Sequence, residues 1–334
     1  MKKTAAVIAV IVVMTLAGFA AWHLTSARKT YSGSPVSITL GGLVSDANIV
    51  IFVAEDRHFF AANGIDLTFK IYDVGLSAIS DLLHNKIDIA GAAEYPVARK
   101  AFEKAPISVV ASIDKSYVID LVGLAGRGIR NAADIKGKKI GLARGAIEEF
   151  YLGRFLNLNG MSIRDVALVN VLPGQAPDAI ARGNVDAVVT NDPYVSQILK
   201  QHPHEVVSWS VQSSQAVYSI LMCGNDWIKQ HPDLIRRFLN ALSEAEGYIE
   251  QHPAEAKALL RERYHYDDAY IARIWPEHQF SLSLDQSLIV ALEDEARWTI
   301  GNNMTKEKQV PDFLNYIHED GLKAIKPDAV SIIR

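Results

Sequence analysis

From residue 37 to 222 the chain repeats one order: a short apolar run, a loop holding glycines and acids, then apolar positions three and four apart. Ser37 to Leu40 alternates as a strand, and Gly41, Gly42, Ser45 and Asp46 follow as its loop. Ile49 to Asn63 carries Ile49, Phe52, Val53, Phe59 and Phe60 at helical spacing, with Asn63-Gly64 as the predicted stop. Ile65 to Tyr72 predicts a second strand. Asp73-Val74-Gly75 predicts a turn into a helix with Leu76, Ile79, Leu82 and Leu83 on one face, and Ile87 to Ala92 a third strand. Ile107 to Ile113 predicts another, running into Asp114. Strand, loop and helix in this succession describe a parallel sheet covered by helices on both faces.

After Tyr117 to Leu124, a further apolar run, Gly126 and Gly128 interrupt, and the order begins afresh. Strands are predicted at 139–143, 166–171 and 185–189 and helices at 146–158 and 175–182, which makes a second α/β lobe. Val217 to Met222 is one more apolar strand, after which the character changes. Segments bounded by His231-Pro232 and His252-Pro253 place Leu234, Phe238, Leu242, Ala245 and Ile249 at helical intervals, and the tail to Arg334 reads as mostly helix. A helical tail without strands of its own has to pack on an existing sheet, so the chain is expected to return to the first lobe.

Two local features suggest chemistry. Residues 134–150 read as a lysine-bearing turn, a strand and then Gly145 opening a helix with Glu148, Glu149 and Phe150 in its first turn. Unpaired N–H groups at such a start can hold a small polar ligand, and an ordinary strand-to-helix junction reads the same way. The second feature is an internal echo. Asn85-Lys-Ile-Asp88-Ile-Ala90 matches Gly183-Asn-Val-Asp186-Ala-Val188, and six positions beyond each aspartate stands an acid, Glu94 or Asp192. Asp88 and Asp186 are expected to serve helix-to-strand turns. Glu94 and Asp192 are expected beyond strand carboxyl ends, where open α/β sheets bind ligands.

Composition narrows the class. With 334 residues, 49% hydrophobic and 22% charged, the chain has room for two domains. The net charge is −4, and −6 once Lys2 and Lys3 are set aside with the N-terminal segment, which argues against nucleic acid as a partner. Lys2 and Lys3 precede an uncharged run from Thr4 to Trp22, so residues 1–29 suit an export signal or a retained N-terminal membrane anchor, and both put the body outside the cytoplasm. Cys223 is the one cysteine, which excludes an intrachain disulfide and any all-cysteine metal or cluster site.

The stretches Val53-Ala-Glu-Asp-Arg-His-Phe-Phe-Ala-Ala-Asn-Gly-Ile65, Gly75 with Asn85-Lys-Ile-Asp88-Ile-Ala90, Asp134-Ile-Lys-Gly137-Lys-Lys-Ile-Gly141, and Gly183-Asn-Val-Asp186-Ala with Asp192-Pro-Tyr194 occur in one order over about 37–230. In these the chain resembles the nitrate/taurine/sulfonate group of periplasmic substrate-binding proteins, which serve ABC importers. The resemblance implies a type II two-lobed periplasmic-binding-protein fold, each lobe a parallel-dominated sheet flanked by helices, with a helical C-terminal extension on lobe 1. Lobe 1 would comprise 37–120 and 222–334, and lobe 2 would comprise 121–221. Crossovers would lie at Ile119, Asp120, Leu121 and Val122, and at Tyr218, Ser219, Ile220 and Leu221. The lobes would close on a solute, because a ligand touching both binds the closed state better.

By position, the resemblance lines the cleft with Leu43, Ser45, Asp46, Gly75, Leu76, Glu94 and Tyr95 from one lobe, with Asp114 after its strand. Gly145, Ala146, Asp192, Tyr194, Ser213 and Ser214 complete it. Relatives that hold a sulfonate or nitrate use small hydroxyl residues at such helix starts, whereas here Ala146-Ile147-Glu148 stands there. Glu94, Asp114, Asp192 and Asp46 crowd acids toward one space, which repels a buried anion unless arginines intervene. The resemblance implies a small nitrogen- or sulfur-containing organic solute of the sulfonate, taurine, nitrate or pyrimidine-precursor class, and the crowded acids favour an amine-bearing or nitrogen-rich one with Asp192 as its main counter-charge. The expected partners are an ABC permease and its ATPase, the expected state a monomer, and no cofactor or metal is implied. A membrane-tethered sensor built on the same binding domain is the alternative. The fold also hosts a pyrimidine-precursor synthase, but that branch uses a cysteine-rich stretch that a chain with Cys223 alone lacks. No Gly-x-Ser-x-Gly or His-Glu-x-x-His motif points to another enzyme.

Overall fold

The computed structural model describes residues 31–334. The N-terminal signal or anchor expected over 1–29 lies outside the described residues. No helix among the described residues is long and apolar enough to cross a membrane.

The first block runs β1 (Val36–Gly42), α1 (Ile49–Asp56), α2 (Phe59–Ala62), β2 (Ile65–Ile71), α3 (Gly75–Leu83), β3 (Ile89–Ala93), α4 (Tyr95–Phe102) and β4 (Ile107–Ser116). The second runs β5 (Ile119–Leu124), β6 (Lys139–Leu142), α5 (Ile147–Leu158), β7 (Ala167–Asn170), α6 (Ala176–Ala181), β8 (Ala187–Asn191), α7 (Tyr194–Gln201) and β9 (Val206–Ser210). Then come β10 (Val217–Gly224), α8 (Asn225–Gln230), α9 (Pro232–Gln251), α10 (Pro253–Tyr264), α11 (Asp268–Ile274), β11 (His278–Ser283), α12 (Gln286–Gly301) and α13 (Asp320–Ile325). The apolar spacing carries most of this, with exceptions that have local causes. The helix expected over 49–63 is broken where His58 takes the left-handed conformation, at φ 58°. The prolines of His231-Pro232 and His252-Pro253 open α9 and α10, where a missing N–H costs nothing.

The strands form two sheets, ordered β11-β4-β10-β3-β1-β2 and β7-β6-β8-β5-β9. In each, the pairings within β2-β1-β3 and β7-β6-β8 are parallel and the remaining pairings antiparallel, so β4 and β9 also run with the parallel strands while β10, β11 and β5 run against them. Most strands of each sheet thus share one direction, and the sheets are mixed because β5 and β10, the strands that arrive from the other lobe, enter against it, as does β11. The tail is not without strands either. His278–Ser283 forms β11 and pairs antiparallel with β4 at the sheet edge, a short segment in which polar and apolar residues alternate.

Sheet membership also moves the crossovers. Ile119 to Val122 lie inside β5 of the second sheet, and Tyr218 to Leu221 inside β10 of the first. The chain changes sheets at residues 117–118 and 211–216, just before each apolar run. The runs are apolar because they are interior strands, and the linkers between sheets are short and partly polar.

Asp88 and Asp186 play the same part in the two lobes. Asp88 Oδ2 accepts from the Thr39 amide at 2.8 Å, and Asp186 Oδ2 from the Lys139 amide at 2.8 Å, each fastening its turn to the neighbouring strand. Val122, Ile180, Val185, Val188 and Ile198 form a small core within the second lobe. A larger core fills the first lobe and continues across the junction. There Phe150 of α5 packs against Tyr95 and Trp298, with ring centroids 5.8 and 5.7 Å away. Gly153 permits this approach, since a Cβ at that position would lie 2.3 Å from Trp298 Cζ2.

Candidate functional site

Between the sheets lies a chamber of about 100 Å³, walled by both lobes. Lobe 1 contributes Leu43, Ser45, Ala47 and Asn48 from the loop after β1, the carboxyl half of β3, and Ser219 and Ile220 of β10. Across from them stand Ile119, Asn191 at the end of β8, and Ile147 and Glu148 at the start of α5. Strand carboxyl ends and helix starts thus converge where open α/β sheets hold ligands. Most of the wall is apolar, so its few polar groups set orientation and selectivity.

Glu148 dominates these groups. Its neighbours divide the local duties: Glu149 turns back to accept from the Gly145 amide at 2.6 Å and from Arg144 Nε at 2.8 Å. Gly145 adopts φ 78° and lies against Arg99, leaving no room for a side chain. With the helix start satisfied by Glu149, Glu148 points into the chamber. It is 6% exposed, and its Oε2 has no hydrogen-bond partner. Burial pushes its carboxyl up to about 7, against a smaller opposing pull from its own backbone N–H. The unpaired Oε2 of this buried carboxyl can accept a hydrogen bond from a donor inside the chamber.

Several acids expected in the cleft face elsewhere, and a sequence-distant segment explains it. Asp192 Oδ2 takes Arg273 Nη2 at 2.5 Å, and Oδ1 accepts from the Ser196 amide at 3.1 Å. The arginine that would relieve crowded acids is thus supplied by α11. Asp114 Oδ2 lies 2.9 Å from His278 Nδ1, and Asp46 Oδ2 accepts from Tyr270 Oη at 2.7 Å. Burial alone would depress His278, but the carboxylate of Asp114, with Asp46 and Asp192 behind it, holds it above its ordinary range. Burial raises Asp46 in turn, against the pull of His278 and the Tyr270 hydroxyl. These acids form a flanking network and do not line the chamber; Asp192 in particular is already neutralised by the protein. Arg273 with Asp192, and Lys200 with Asp267 at 2.6 Å, tie α11 to the second lobe.

Glu94 is fully buried, and its Oε2 accepts from the Tyr218 amide at 3.0 Å. Desolvation lifts its carboxyl to about 8 and raises that of the adjacent Glu295, so the pair retains a proton. Tyr95 is likewise core: its hydroxyl lies 3.2 Å from Thr299 Oγ1 and its ring stacks on Phe150, so it is not available to a ligand. Gly75 packs on Ala92 behind the wall, and Leu76 approaches Gly145. Ala146 is the residue before α5 and brings no side-chain cap. Ser213 and Ser214 lie on the second crossover, and Ser214 borders a different cavity of about 590 Å³ on the far side of the hinge with Tyr117 and Gln215. Tyr194 lines a chamber of about 280 Å³ that adjoins the inner one, since Leu43 and Asn191 border both. Leu43 and Ser45 line the inner chamber. Asn48, Asn191 and Glu148 were not expected in the wall; the glycine-led helix start at 145–148 was the signal for Glu148.

Comparisons with known proteins bear on the family and the fold. Among curated relatives, a Haemophilus influenzae protein named for thiamine biosynthesis is 26% identical over 231 residues, 68% of this chain and 73% of its own. A Brucella abortus protein named as a binding protein is 24% identical over 208 residues, 61% of this chain and 64% of its own. Among solved structures, the alkanesulfonate-binding protein of Xanthomonas axonopodis pv. citri has a TM-score of 0.72 at 18% identity, covering 86% of this chain and 100% of that one. A desulfurization enzyme has a TM-score of 0.65 at 14% identity, covering 87% and 99%. These likenesses fix the two-lobed periplasmic-binding-protein fold, a frame used by binding proteins and by at least one enzyme. The model of the NMT1/THI5 like family matches residues 47–256, more than half of the sequence, and to that family the chain belongs.

Proposed function

We propose that this chain captures a small, nitrogen-bearing organic solute between its lobes, as the extracytoplasmic binding component of an ABC importer. The first sheet with its helices, including β10 and the tail, would form one jaw and the second sheet, β5 to β9 with its helices, the other, and the permease with its ATPase would take the loaded form. The observation that carries the solute class is Glu148, a buried carboxyl that lines the interlobe chamber and whose Oε2 has no hydrogen-bond partner. A sulfonate or nitrate there would meet a carboxyl, whereas an amine or amino-heterocycle supplies the missing donor. Capture without bond-making fits the sole cysteine, Cys223, which is fully buried on β10 and whose thiol burial pushes far up, away from the reactive thiolate.

A thermal-shift screen of sulfonates, nitrate, amines and aminopyrimidines tests the reading, because a ligand that binds only the folded chain raises its melting temperature. Amines or amino-heterocycles should give the shift, and Glu148→Gln should weaken their binding at least tenfold by calorimetry. A shift from sulfonates or nitrate that survives Glu148→Gln would reject the solute class; product formation during the assay would reject the binding role.

A further inference from the structure

We infer that the solute has two donor ends, a compact one seated at Glu148 and an amine-bearing arm that runs outward to Asp73. This rests on the reading of Glu148 given above and extends it into the adjoining chamber. Leu43 and Asn191 border both chambers, so the two adjoin across these side chains, the outer one toward the interlobe rim. No cationic side chain lines either of them, and each is lined by a single carboxyl, Glu148 within and Asp73 without.

Asp73 stands just after β2, at the turn into α3, and makes no hydrogen bond or ion pair among the described residues. The cation closest in sequence, Lys70, is committed elsewhere: it lies over the Tyr72 ring at 4.8 Å and binds Asp81 Oδ2 at 2.8 Å. Facing Asp73 from the second lobe is Tyr194, whose hydroxyl is pushed up by burial and, behind that, by the Asp73 charge. The outer chamber therefore presents one carboxylate and two aromatic rings, Tyr72 and Tyr194. An ammonium arm suits both, by ion pairing and by contact with ring faces. Because the walls come from both lobes, an arm that spans them favours the closed arrangement.

The test is calorimetry on the full-length protein at about pH 8 and low salt, with n-butylamine, 1,4-diaminobutane and 1,6-diaminohexane as probes. At least one diamine should bind about two- to fivefold tighter than butylamine, the gain of an exposed ion pair at Asp73. In Asp73→Asn the diamine-to-butylamine ratio should fall to about one. The same charge removed at Asp226, which is exposed and remote from both chambers, should leave the ratio as in the wild type. Equal binding of mono- and diamine, or a gain that persists in Asp73→Asn, overturns the arm while Glu148 keeps its role. Binding of neither amine, or affinities indifferent to Glu148→Gln, overturns the inner reading and the arm with it.

Discussion

Replacing Glu148 by glutamine tests the chamber's electrostatics with almost no change of shape. Burial raises the carboxyl from the ordinary 4.5 to about 7. Between those values the native chain keeps a proton that the unfolded chain has released, so stability falls as pH rises through the window. The penalty is absent below about pH 4.5. It grows by about 1.4 kcal/mol for each pH unit and levels off above about 7, at roughly 3 kcal/mol. Glu94 and Glu295 are also raised by burial, with Glu94 near 8, so the wild-type curve alone mixes several groups. The difference between variant and wild type isolates one of them. Urea denaturation from about pH 5 to about pH 8 should show that difference growing in favour of glutamine by about 2–3 kcal/mol. A flat difference would mean that water or a protein donor already serves the carboxylate, and the reasoning from burial would be refuted.

Affinity for an amine should follow the same ionisation, because the carboxylate is the form that pairs with an ammonium. Calorimetry with n-butylamine should show affinity climbing by up to about tenfold per pH unit below about 7 and levelling above it. Gly153→Ala forces a Cβ to within 2.3 Å of the Trp298 indole, and urea denaturation should register a loss of about 1–3 kcal/mol from overpacking the α5–α12 contact. Arg273→Ala leaves Asp192, only 3% exposed, without its counter-charge. Because Arg273 is itself half in solvent, the loss should be about 1–3 kcal/mol, and small-angle scattering of the unliganded protein should show a larger radius as α11 releases the second lobe.

The fold was legible wherever period and burial coincide. Leu234, Phe238, Leu242, Ala245 and Ile249 of α9 are all buried at the spacing that marks them, and β1 to β4 fall on their apolar runs. Edge elements were harder to see: β9 and β11 are half-buried and partly polar, so neither stands out against a helical or loop background. At the site, the sequence located the right strand ends but not the direction of the side chains. Glu94 and Asp192 each follow a strand, as the echo implies. Glu94 then turns into the α4–α12 core, and Asp192 turns to Arg273, 81 residues on. His278 and Tyr270 stand 164 and 224 residues from Asp114 and Asp46. No local pattern records pairings at such separations, so the four acids looked like one ligand cluster although the tail had already claimed three of them.

The same pairings explain how a chamber in an acid-rich cleft can be selective. A helix start attracts negative charge, and in an open α/β cleft that makes the start of α5 a natural anion seat. Here the protein fills the seat itself: Glu149 satisfies the Gly145 amide and Arg144, and Glu148 projects past it into the chamber. With Asp46, Asp114 and Asp192 neutralised or hydrogen-bonded at the flank, the field inside the chamber is set chiefly by one carboxyl rather than by four. On the proposed reading, one position at the head of one helix turns a frame that holds an alkanesulfonate-binding site in the Xanthomonas protein toward donors. The unliganded chain carries the cost of burying Glu148, and a matching solute would offset it on binding.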